Sequence, residues 1–228
     1  MSERTSWTIY ESPFGRLALE AGPRGLRGLH FPGGSGHLDE RDRQPAAEAA
    51  GVLADAATQL AEYFARECSA FELELDLGGT PFQRGVWEQL AQIPYGSTIS
   101  YTELARRAGR PDRARAAGAA VGRIPVPIVV PCHRVVASNG ALTGYRGGLE
   151  LKRALLELEA RSDQAGTDVP ASARPQRPGT PVSATWPSSA GTWGSLRSPA
   201  GVGARPSIVV SASSGAAAAQ ACGAEAVG

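Results

Sequence analysis

Apolar and polar positions alternate in three short stretches near the beginning of the chain. The stretches "WTIYES", "GRLALEA" and "LRGLHF" occupy residues 7–12, 15–21 and 26–31, and "PFG" and "GPRG" separate them. Alternation with a period of two places apolar side chains on one face of a strand, and Gly and Pro mark turns. The pattern therefore predicts three strands joined by tight turns.

A longer apolar repeat follows these stretches. From Val52 to Phe64 an apolar residue recurs every four positions, which predicts a helix over residues 46–67. Strict alternation returns in "FELELDL" (71–77) and predicts a further strand. Residues 1–78 are therefore interpreted as a small N-terminal α/β domain that supports the rest of the chain and carries no chemistry of its own.

A second unit begins at Thr80, which is suited to cap a helix, and Pro81 is suited to its first position. Apolar residues at a spacing of three to four follow, up to Ile93. Beyond them, "YTELARRAG" and "RARAAGAAVG" predict two short helices joined by a tight Gly/Pro turn. Such a pair is typical of a helix-turn-helix, although the pattern alone does not establish DNA binding.

The second of these short helices has almost no large side chains. Its centre consists of small residues only: Ala116, Ala117, Gly118, Ala119 and Ala120. Small side chains let a helix backbone come close to its neighbour, which is either another helix of the domain or a nucleic-acid groove. Arg113 and Arg115 on the same helix make the groove the sharper hypothesis, but the residues alone leave both open.

Charge is distributed unevenly, although the formal net charge is only +1. Residues 1–80 carry 7 Lys and Arg against 13 Asp and Glu, whereas residues 81–153 carry 11 against 4. A positive block of this size is typical of a surface that binds a polyanion, and nucleic acid is the first candidate. An ordinary solvated, arginine-rich face fits the same count.

Three widely spaced cysteines, Cys68, Cys132 and Cys222, form neither a CxxC pair nor a Cys/His cluster with zinc spacing. The sequence therefore predicts no disulfide, no metal and no other cofactor. The first ten residues lack an apolar signal core and no 18-residue apolar run occurs, so we expect a cytoplasmic protein outside the membrane. Residues 162–228, rich in Ser, Ala, Gly and Pro, are expected to form a disordered tail.

One cysteine has an unusual setting, because Cys132 lies between Pro131 and His133 at the end of an apolar run. A thiolate is a strong nucleophile, but a free cysteine is mostly protonated at neutral pH, so a base or a positive charge must activate it. His133 and Arg134 are candidates, and Glu159 on a later predicted helix could orient the histidine. Adjacent residues of an extended segment point in opposite directions, so His133 needs a turn or a water relay. A buried, inert thiol is the alternative.

Four segments resemble, in order and spacing, the O6-alkylguanine-DNA alkyltransferase family: "FQRGVWEQLAQIPYGSTISYTELA", "RAAGAAVG", "PVPIVVPCHRVV" and "GALTGYRGGLELKRALLELE". The resemblance implies an α+β/α fold, with a ribonuclease-H-like α/β domain (1–78) followed by a mainly helical, winged-helix-like DNA-binding domain that carries the acceptor cysteine (79–161). It implies direct repair of double-stranded DNA by irreversible transfer of an alkyl group from O6 of guanine, or O4 of thymine, to Cys132. Each molecule would act once, as a monomer without an obligatory protein partner.

The resemblance also implies the roles of the reacting residues. Cys132 would accept the alkyl group, His133 would be its water-relayed base, and Glu159 would orient His133. The damaged base would be rotated out of the stack, since its alkyl group cannot be reached inside the duplex. Tyr101 would assist this rotation and donate a proton to the leaving guanine.

Binding roles follow from the same resemblance. Arg115 would take the place of the extruded base in the duplex. The small residues of its helix would lie against the DNA: Ala116, Ala117 and Gly118. Four further residues would contact the guanine or close over the alkyl group: Val135, Tyr145, Arg146 and Lys152.

Two positions depart from the family pattern. Eight residues before the cysteine, where the family usually has Asn followed by Pro, this chain has Ile124. An Asn amide can tie backbone groups together there and Ile cannot, so we expect slower transfer and either a looser Tyr101–Cys132–Glu159 arrangement or a substitute polar partner. The second departure is Arg146, a large cation beside the pocket, which either reaches a phosphate or is solvated.

Two other functions fit parts of the sequence. Alkyltransferase-like proteins bind the same lesions without repairing them, but they replace the acceptor cysteine, commonly with tryptophan, whereas Cys132 is present here. A helix-turn-helix regulator could sense alkylation at Cys132, but the sequence contains no recognisable sensor or second DNA-binding domain.

Overall fold

A computed structural model describes residues 5–32, 47–160 and 208–210. The elements along the chain are β1 (Ser6–Ser12), β2 (Gly15–Gly22), β3 (Gly25–His30), α1 (Ala47–Ala65), β4 (Leu73–Leu75), α2 (Pro81–Ala91), β5 (Ile99–Ser100), α3 (Tyr101–Arg107), α4 (Ala114–Val121), β6 (Val135–Val136), α5 (Leu149–Ala160) and β7 (Ile208–Val210). Within these described ranges, no helix is both long and apolar enough to cross a membrane. The α/β domain followed by a mainly helical part confirms the predicted fold class.

The N-terminal domain is a five-stranded sheet in the order β1-β2-β3-β4-β7, with α1 packed against it. The strands β1, β2 and β3 are antiparallel neighbours, as predicted, and β4 runs parallel to β3. Gly25 begins β3 with φ +137°, and a side chain there would collide with the carbonyl group of Glu74. This close approach is what allows β4 to lie beside β3.

The strand predicted over 71–77 is shorter than expected. Its alternate apolar side chains are buried from Phe71 to Leu77, but only Leu73–Leu75 are paired as a strand. The alternation of apolar residues indicates which face of a strand is buried, whereas the length of the strand depends on how far its neighbours extend beside it.

Two expectations about the cysteines and the tail need correction. Cys68 is disulfide-bonded, so the prediction of no disulfide is wrong at this residue. Wide spacing along the chain does not prevent two cysteines from meeting in the fold, which is what disulfide geometry requires. Residues 208–210 form β7, antiparallel to β4, so the tail is not disordered there. The rest of 162–228 lies outside the described residues.

The second domain begins with α2, whose first turn is capped as predicted. The Thr80 side chain accepts a hydrogen bond from the Gln83 amide, and the Gln83 side chain accepts one from the Thr80 amide, forming a capping box. Helices α2, α3 and α4 pack against one another, and α3 and α4 form the predicted helix-turn-helix. A parallel pair of short strands, β5 and β6, brings the start of α3 close to the segment that follows the cysteine.

The segment that leads to Cys132 is folded back on itself. Ile128 is buried and has φ +75°, which β-branched residues rarely adopt, and the Val130 amide donates to the Val126 carbonyl at 3.1 Å. The same segment is fixed to the N-terminal domain, because the Leu29 amide of β3 donates to the Pro125 carbonyl at 2.9 Å.

Candidate active site

Cys132 begins a single turn of 3-10 helix, Cys132–Arg134, that follows directly on Pro131. The Arg134 amide donates to the Pro131 carbonyl at 3.0 Å, and the Val135 amide donates to the Cys132 carbonyl. The thiol-bearing residue is only 4% exposed. The turn that His133 requires is therefore present, because Cys132 and His133 lie in a 3-10 turn and not in an extended segment.

Burial is the main influence on the Cys132 thiol. It raises the pKa to about 11, because a thiolate is poorly solvated inside the protein. The charges of Lys152 and Arg146, and the backbone N–H groups of Ile128 and Cys132, act in the opposite direction. The resting group at neutral pH is therefore a thiol, and a base must take its proton when it reacts.

His133 is suited to be that base. Its side chain is fully buried, and burial lowers its pKa despite the neighbouring carboxylate of Glu159, so the imidazole is neutral at pH 7. Its Nε2 lies 2.9 Å from Glu159 Oε1. An ionised carboxylate can only accept a hydrogen bond, so Nε2 carries the proton and Nδ1 has the free lone pair. Among the described residues, no protein group forms a hydrogen bond with Nδ1.

Glu159 is the centre of the buried network. Burial alone would raise its pKa, but the hydrogen bonds from His133 and Arg134, together with the charge of Arg134, hold the pKa well below its usual range. Arg134 donates from Nε to Oε2 at 2.9 Å and from Nη2 to Oε1 at 2.8 Å. Its Nη1 donates to the Ile93 carbonyl, so the guanidinium is also tied to the loop after α2. The Glu159 side chain is fully buried, with 0% exposure.

The network also contains groups that the sequence did not indicate. The hydroxyl group of Tyr63 on α1 donates to Glu159 Oε1 at 2.7 Å, and the Gly96 amide donates to Oε2 at 3.2 Å. The N-terminal domain therefore reaches the site, although its sequence was interpreted as purely supporting. The only hint was the spacing of Tyr63, three residues after Leu60 on the buried face of α1.

The loop before α5 covers the thiol. The Tyr145 side chain lies beside Cys132, and burial, followed by the influence of that thiol, raises its pKa well above the usual range. Gly147 lets this loop pack closely, because a Cβ atom there would lie 2.5 Å from Leu151 and 3.2 Å from Phe31 and Tyr145.

Lys152 links this loop to the strand that follows the cysteine. Its buried Nζ donates to the Val135 carbonyl at 2.6 Å and to the Thr143 carbonyl at 3.0 Å. Burial lowers the pKa of this ammonium group, and the Cys132 thiol opposes that effect. Of the predicted pocket residues, Val135, Tyr145 and Lys152 are therefore brought together around Cys132.

Tyr101 lies at the start of α3, where the Ser100 side chain caps the helix. Its hydroxyl group accepts a hydrogen bond from Thr143 Oγ1 at 3.3 Å, so it reaches the same loop. The Tyr101 ring packs against α4. A Cβ atom added at Gly118 would lie 3.5 Å from this ring, which is an ordinary van der Waals contact. The structure thus places Tyr101 between the helix-turn-helix and the loop over the thiol.

The outer face of α4 is exposed, but not all of its small residues contribute to that face. Arg115 is exposed and Ala116 and Gly118 are half-buried, whereas Ala117 is fully buried and packs into the core. The side chain of Ala117 faces the core, because residues 117, 120 and 121 form the inner face of the helix. The predicted contact between Ala117 and DNA stays a prediction and concerns the backbone of the helix. Beside this surface, a groove of about 320 Å³ is lined by Phe82, Arg110, Arg113 and Ala116.

Both domains of the chain match described protein families. Residues 6–77 match the 6-O-methylguanine DNA methyltransferase ribonuclease-like domain, and residues 81–161 match the DNA binding domain of the same proteins. A methylated-DNA–protein-cysteine methyltransferase of Methanosarcina acetivorans is 42% identical over 153 residues, which are 67% of this chain and 97% of that protein. The chain belongs to the 6-O-methylguanine DNA methyltransferase family.

Further relatives support the same assignment. A methyltransferase of this name from Mycobacterium tuberculosis is 55% identical over 109 residues, 48% of this chain and 66% of that protein. The crystal structure of Mycobacterium tuberculosis OGT in complex with DNA aligns with a TM-score of 0.62 and 44% identity, covering 68% of this chain and 93% of that one. The alkyltransferase resemblance of the sequence is thus confirmed.

The position that departs from the pattern of this methyltransferase family is buried. Ile124 is 2% exposed in the apolar core, just beyond the end of α4. Other polar groups reach the backbone around it: Trp87 Nε1 donates to the Ala120 carbonyl at 2.9 Å, and Arg146 Nη2 donates to the Gly122 carbonyl at 2.9 Å. Arg146 therefore links the loop over the thiol to the end of α4. The sequence had suggested that Arg146 either reaches a phosphate or is solvated, and neither expectation included this contact.

The sequence had predicted no metal in this chain. Within residues 5–32, 47–160 and 208–210, no three His, Cys, Asp or Glu side chains are grouped so that they could hold a metal ion. For the chain as a whole, the absence of a metal stays a prediction.

Proposed function

We propose that the protein repairs alkylated DNA directly, by transferring a methyl or other alkyl group from O6 of guanine, and from O4 of thymine, to Sγ of Cys132. The observation that carries the proposal is the buried Cys132 next to a neutral His133, whose Nε2 is held by the ionised Glu159. Family membership supports it, and the methyl-accepting cysteine appears in the names of the relatives.

The proposed reaction is a displacement at the alkyl carbon. Cys132 Sγ forms a bond to that carbon as its proton passes toward His133 Nδ1, directly or through water. The bond between the carbon and O6 breaks, and its electron pair remains on guanine, which takes a proton from Tyr101. Solvent exchange returns the thiol proton to Tyr101, so guanine gains one proton overall. The product is a thioether, and each protein molecule reacts once.

The exposed face of α3 and α4 is the proposed DNA surface. Arg115 is exposed there, and the neighbouring groove adds Arg110 and Arg113, which suit contacts to phosphate groups. An O6-alkyl group within a stacked base pair cannot reach a thiol that is 4% exposed, so the base must leave the stack. Arg115 fills the space that the extruded base leaves. Ala116 and Gly118 allow the backbone of α4 to approach the DNA closely. The protein acts as a monomer.

The decisive experiment measures the mass of the intact protein after incubation with a duplex that contains O6-methylguanine. The wild type is expected to exchange its thiol hydrogen for one methyl group, a net gain of CH2, and peptide analysis should locate the methyl group on Cys132. Cys132→Ala should gain nothing, whereas Glu103→Gln, which changes a partly exposed carboxylate and no cysteine, should react as the wild type does. Binding to the lesion without a gain in mass would overturn the proposal and favour a lesion-binding protein that does not repair.

A further inference from the structure

We propose that Tyr63 is a positioning residue for the transfer reaction: its hydroxyl group holds Glu159, and through Glu159 it orients His133. The inference rests on the proposed transfer to Cys132. It assigns to the N-terminal domain a part in the chemistry of a site that otherwise belongs to the second domain.

The geometry that carries this inference is a buried hydrogen bond between the two domains. Tyr63 on α1 and Glu159 on α5 are both fully buried, 96 residues apart in the chain, and the hydroxyl oxygen is 2.7 Å from Oε1. The same Oε1 accepts the hydrogen bond from His133 Nε2. Glu159 Oε1 thus accepts hydrogen bonds from both the phenol of one domain and the imidazole of the other.

The phenol can serve as a donor throughout the physiological pH range. Burial, followed by the charge of Glu159, raises the pKa of Tyr63 well above its usual value, so the hydroxyl group keeps its proton. The ring is fixed as well, because its centroid lies 5.4 Å from that of Phe64 and 5.2 Å from that of Phe71. A donor held in this way determines where the lone pairs of Glu159 point.

The hydroxyl group also affects how strongly Glu159 favours the charged form of His133. Each hydrogen bond to the carboxylate disperses its negative charge, so losing one makes it a better partner for an imidazolium ion. His133 would then keep its proton to higher pH, and Nδ1 would be free to act as a base only above that pH. The titratable and charged groups that face this pair from the surrounding elements are Tyr63, Tyr95, Arg134 and Lys152.

The test is the single-turnover rate of methyl transfer from an O6-methylguanine duplex, measured from pH about 5 to about 8. Tyr63→Phe keeps the ring and removes only the hydroxyl group. We expect transfer to be about three- to tenfold slower at pH 7, because one hydrogen bond to a charged group is lost. We also expect the acid limb of the profile to move up by roughly half a pH unit. Affinity for the DNA should change little, whereas the melting temperature should fall by a few degrees because one buried hydrogen bond is lost.

Tyr95→Phe is the matched control. The centroid of the Tyr95 ring lies 5.9 Å from that of the Tyr63 ring. The Tyr95 hydroxyl group is also buried, but it forms no hydrogen bond with any described residue. Its rate and pH profile should coincide with those of the wild type. If Tyr63→Phe also coincides with the wild type, or if both variants lose rate equally without a shift of the acid limb, Tyr63 has no positioning role.

A second variant covers the case in which Tyr63→Phe does not fold. Fluorotyrosine at position 63 keeps the ring and makes the phenol a stronger donor, so the acid limb should move to lower pH. An unchanged profile there would contradict the inference. A wild-type protein that gains no methyl group would instead refute the proposed function itself, so the two failures are distinguishable.

Discussion

Two glutamates of this protein each hold arginine side chains, one inside the molecule and one on its surface. Glu159 accepts from Arg134 at 2.8 Å and its side chain is 0% exposed, whereas Glu103 on α3 accepts from Arg106 at 2.7 Å and is 30% exposed. The pKa of Glu103 is lowered to about 2, chiefly by its hydrogen bonds to Arg106 and Arg107, and that of Glu159 is also lowered.

The difference between the two lies in how much depends on each carboxylate. Water can solvate Glu103 and its partners if a bond breaks, so the surface cluster contributes little to stability. Nothing replaces Glu159, because Arg134, His133 and Tyr63 would all be left with buried groups unsatisfied. Similar pairwise contacts therefore have large consequences only in the buried network.

Glu159→Gln is expected to have the largest effect of any single substitution at the two clusters. The amide cannot neutralise Arg134, so a buried charge loses its partner, and the free energy of unfolding should fall by about 3–5 kcal/mol. Transfer should slow on the order of 100-fold, since His133 loses the group that orients it. Urea denaturation and single-turnover kinetics at 25 °C would measure both.

Glu103→Gln provides the control with the same chemical change at an exposed site. Its urea midpoint and its transfer rate should remain close to those of the wild type. An equal loss of stability in the two variants would contradict the difference between the buried and the exposed cluster.

Arg115→Ala tests the exposed region, and a smaller effect is expected. Repair of a lesion within a duplex should slow by about tenfold, because nothing fills the space of the extruded base. Reaction with free O6-methylguanine base, which needs no extrusion, should be unchanged. Single-turnover assays with the two substrates would separate these outcomes, and equal repair of duplex DNA would show that Arg115 has no such role.

Arg113→Ala is the matched change at the neighbouring groove. It should weaken DNA binding and lower the slope of log affinity against log salt by about one, as expected for a lost phosphate contact. The transfer rate at saturating protein should not change. A selective loss of duplex repair in this variant would shift the base-replacing role from Arg115 to Arg113.

The contrast between the two glutamates also explains how much of the site could be predicted from sequence. The partners of Glu103 lie three and four residues away, within one helix turn, where spacing alone indicates contact. The side-chain partners of Glu159 lie 25, 26 and 96 residues away, and the last of these pairings depends on how two domains pack. The sequence indicated that Glu159 could orient His133, but no local pattern could connect it to Tyr63.

The same distinction applies to the fold. Turn chemistry and apolar periodicity predicted β1, β2, β3 and the capped start of α2, because those features are local. The positive φ of Ile128 was missed, since a buried β-branched residue adopts it only when surrounding contacts impose it. Likewise, the sequence marked α4 as a helix of small residues but did not show which of them, Ala117 among them, face the core.

Ile124 lies between the exposed helix-turn-helix and the buried network, just beyond α4 and eight residues before Cys132. On sequence grounds, replacing it by the usual asparagine should restore lost polar contacts and speed transfer. In the structure, however, the Ala120 and Gly122 carbonyls already accept hydrogen bonds, from Trp87 and Arg146. These two bonds are candidates for the substitute polar partner that was expected.

Ile124→Asn should therefore lower the free energy of unfolding by about 1–3 kcal/mol, since an amide is buried where the present side chain is 2% exposed among apolar groups. The transfer rate should change by less than about threefold, because the end of α4 keeps both of its donors. Ile124→Val controls for lost volume and should cost only about 0.5–1.5 kcal/mol. If Ile124→Asn instead accelerates transfer with no loss of stability, the bonds from Trp87 and Arg146 do not replace those of the missing asparagine.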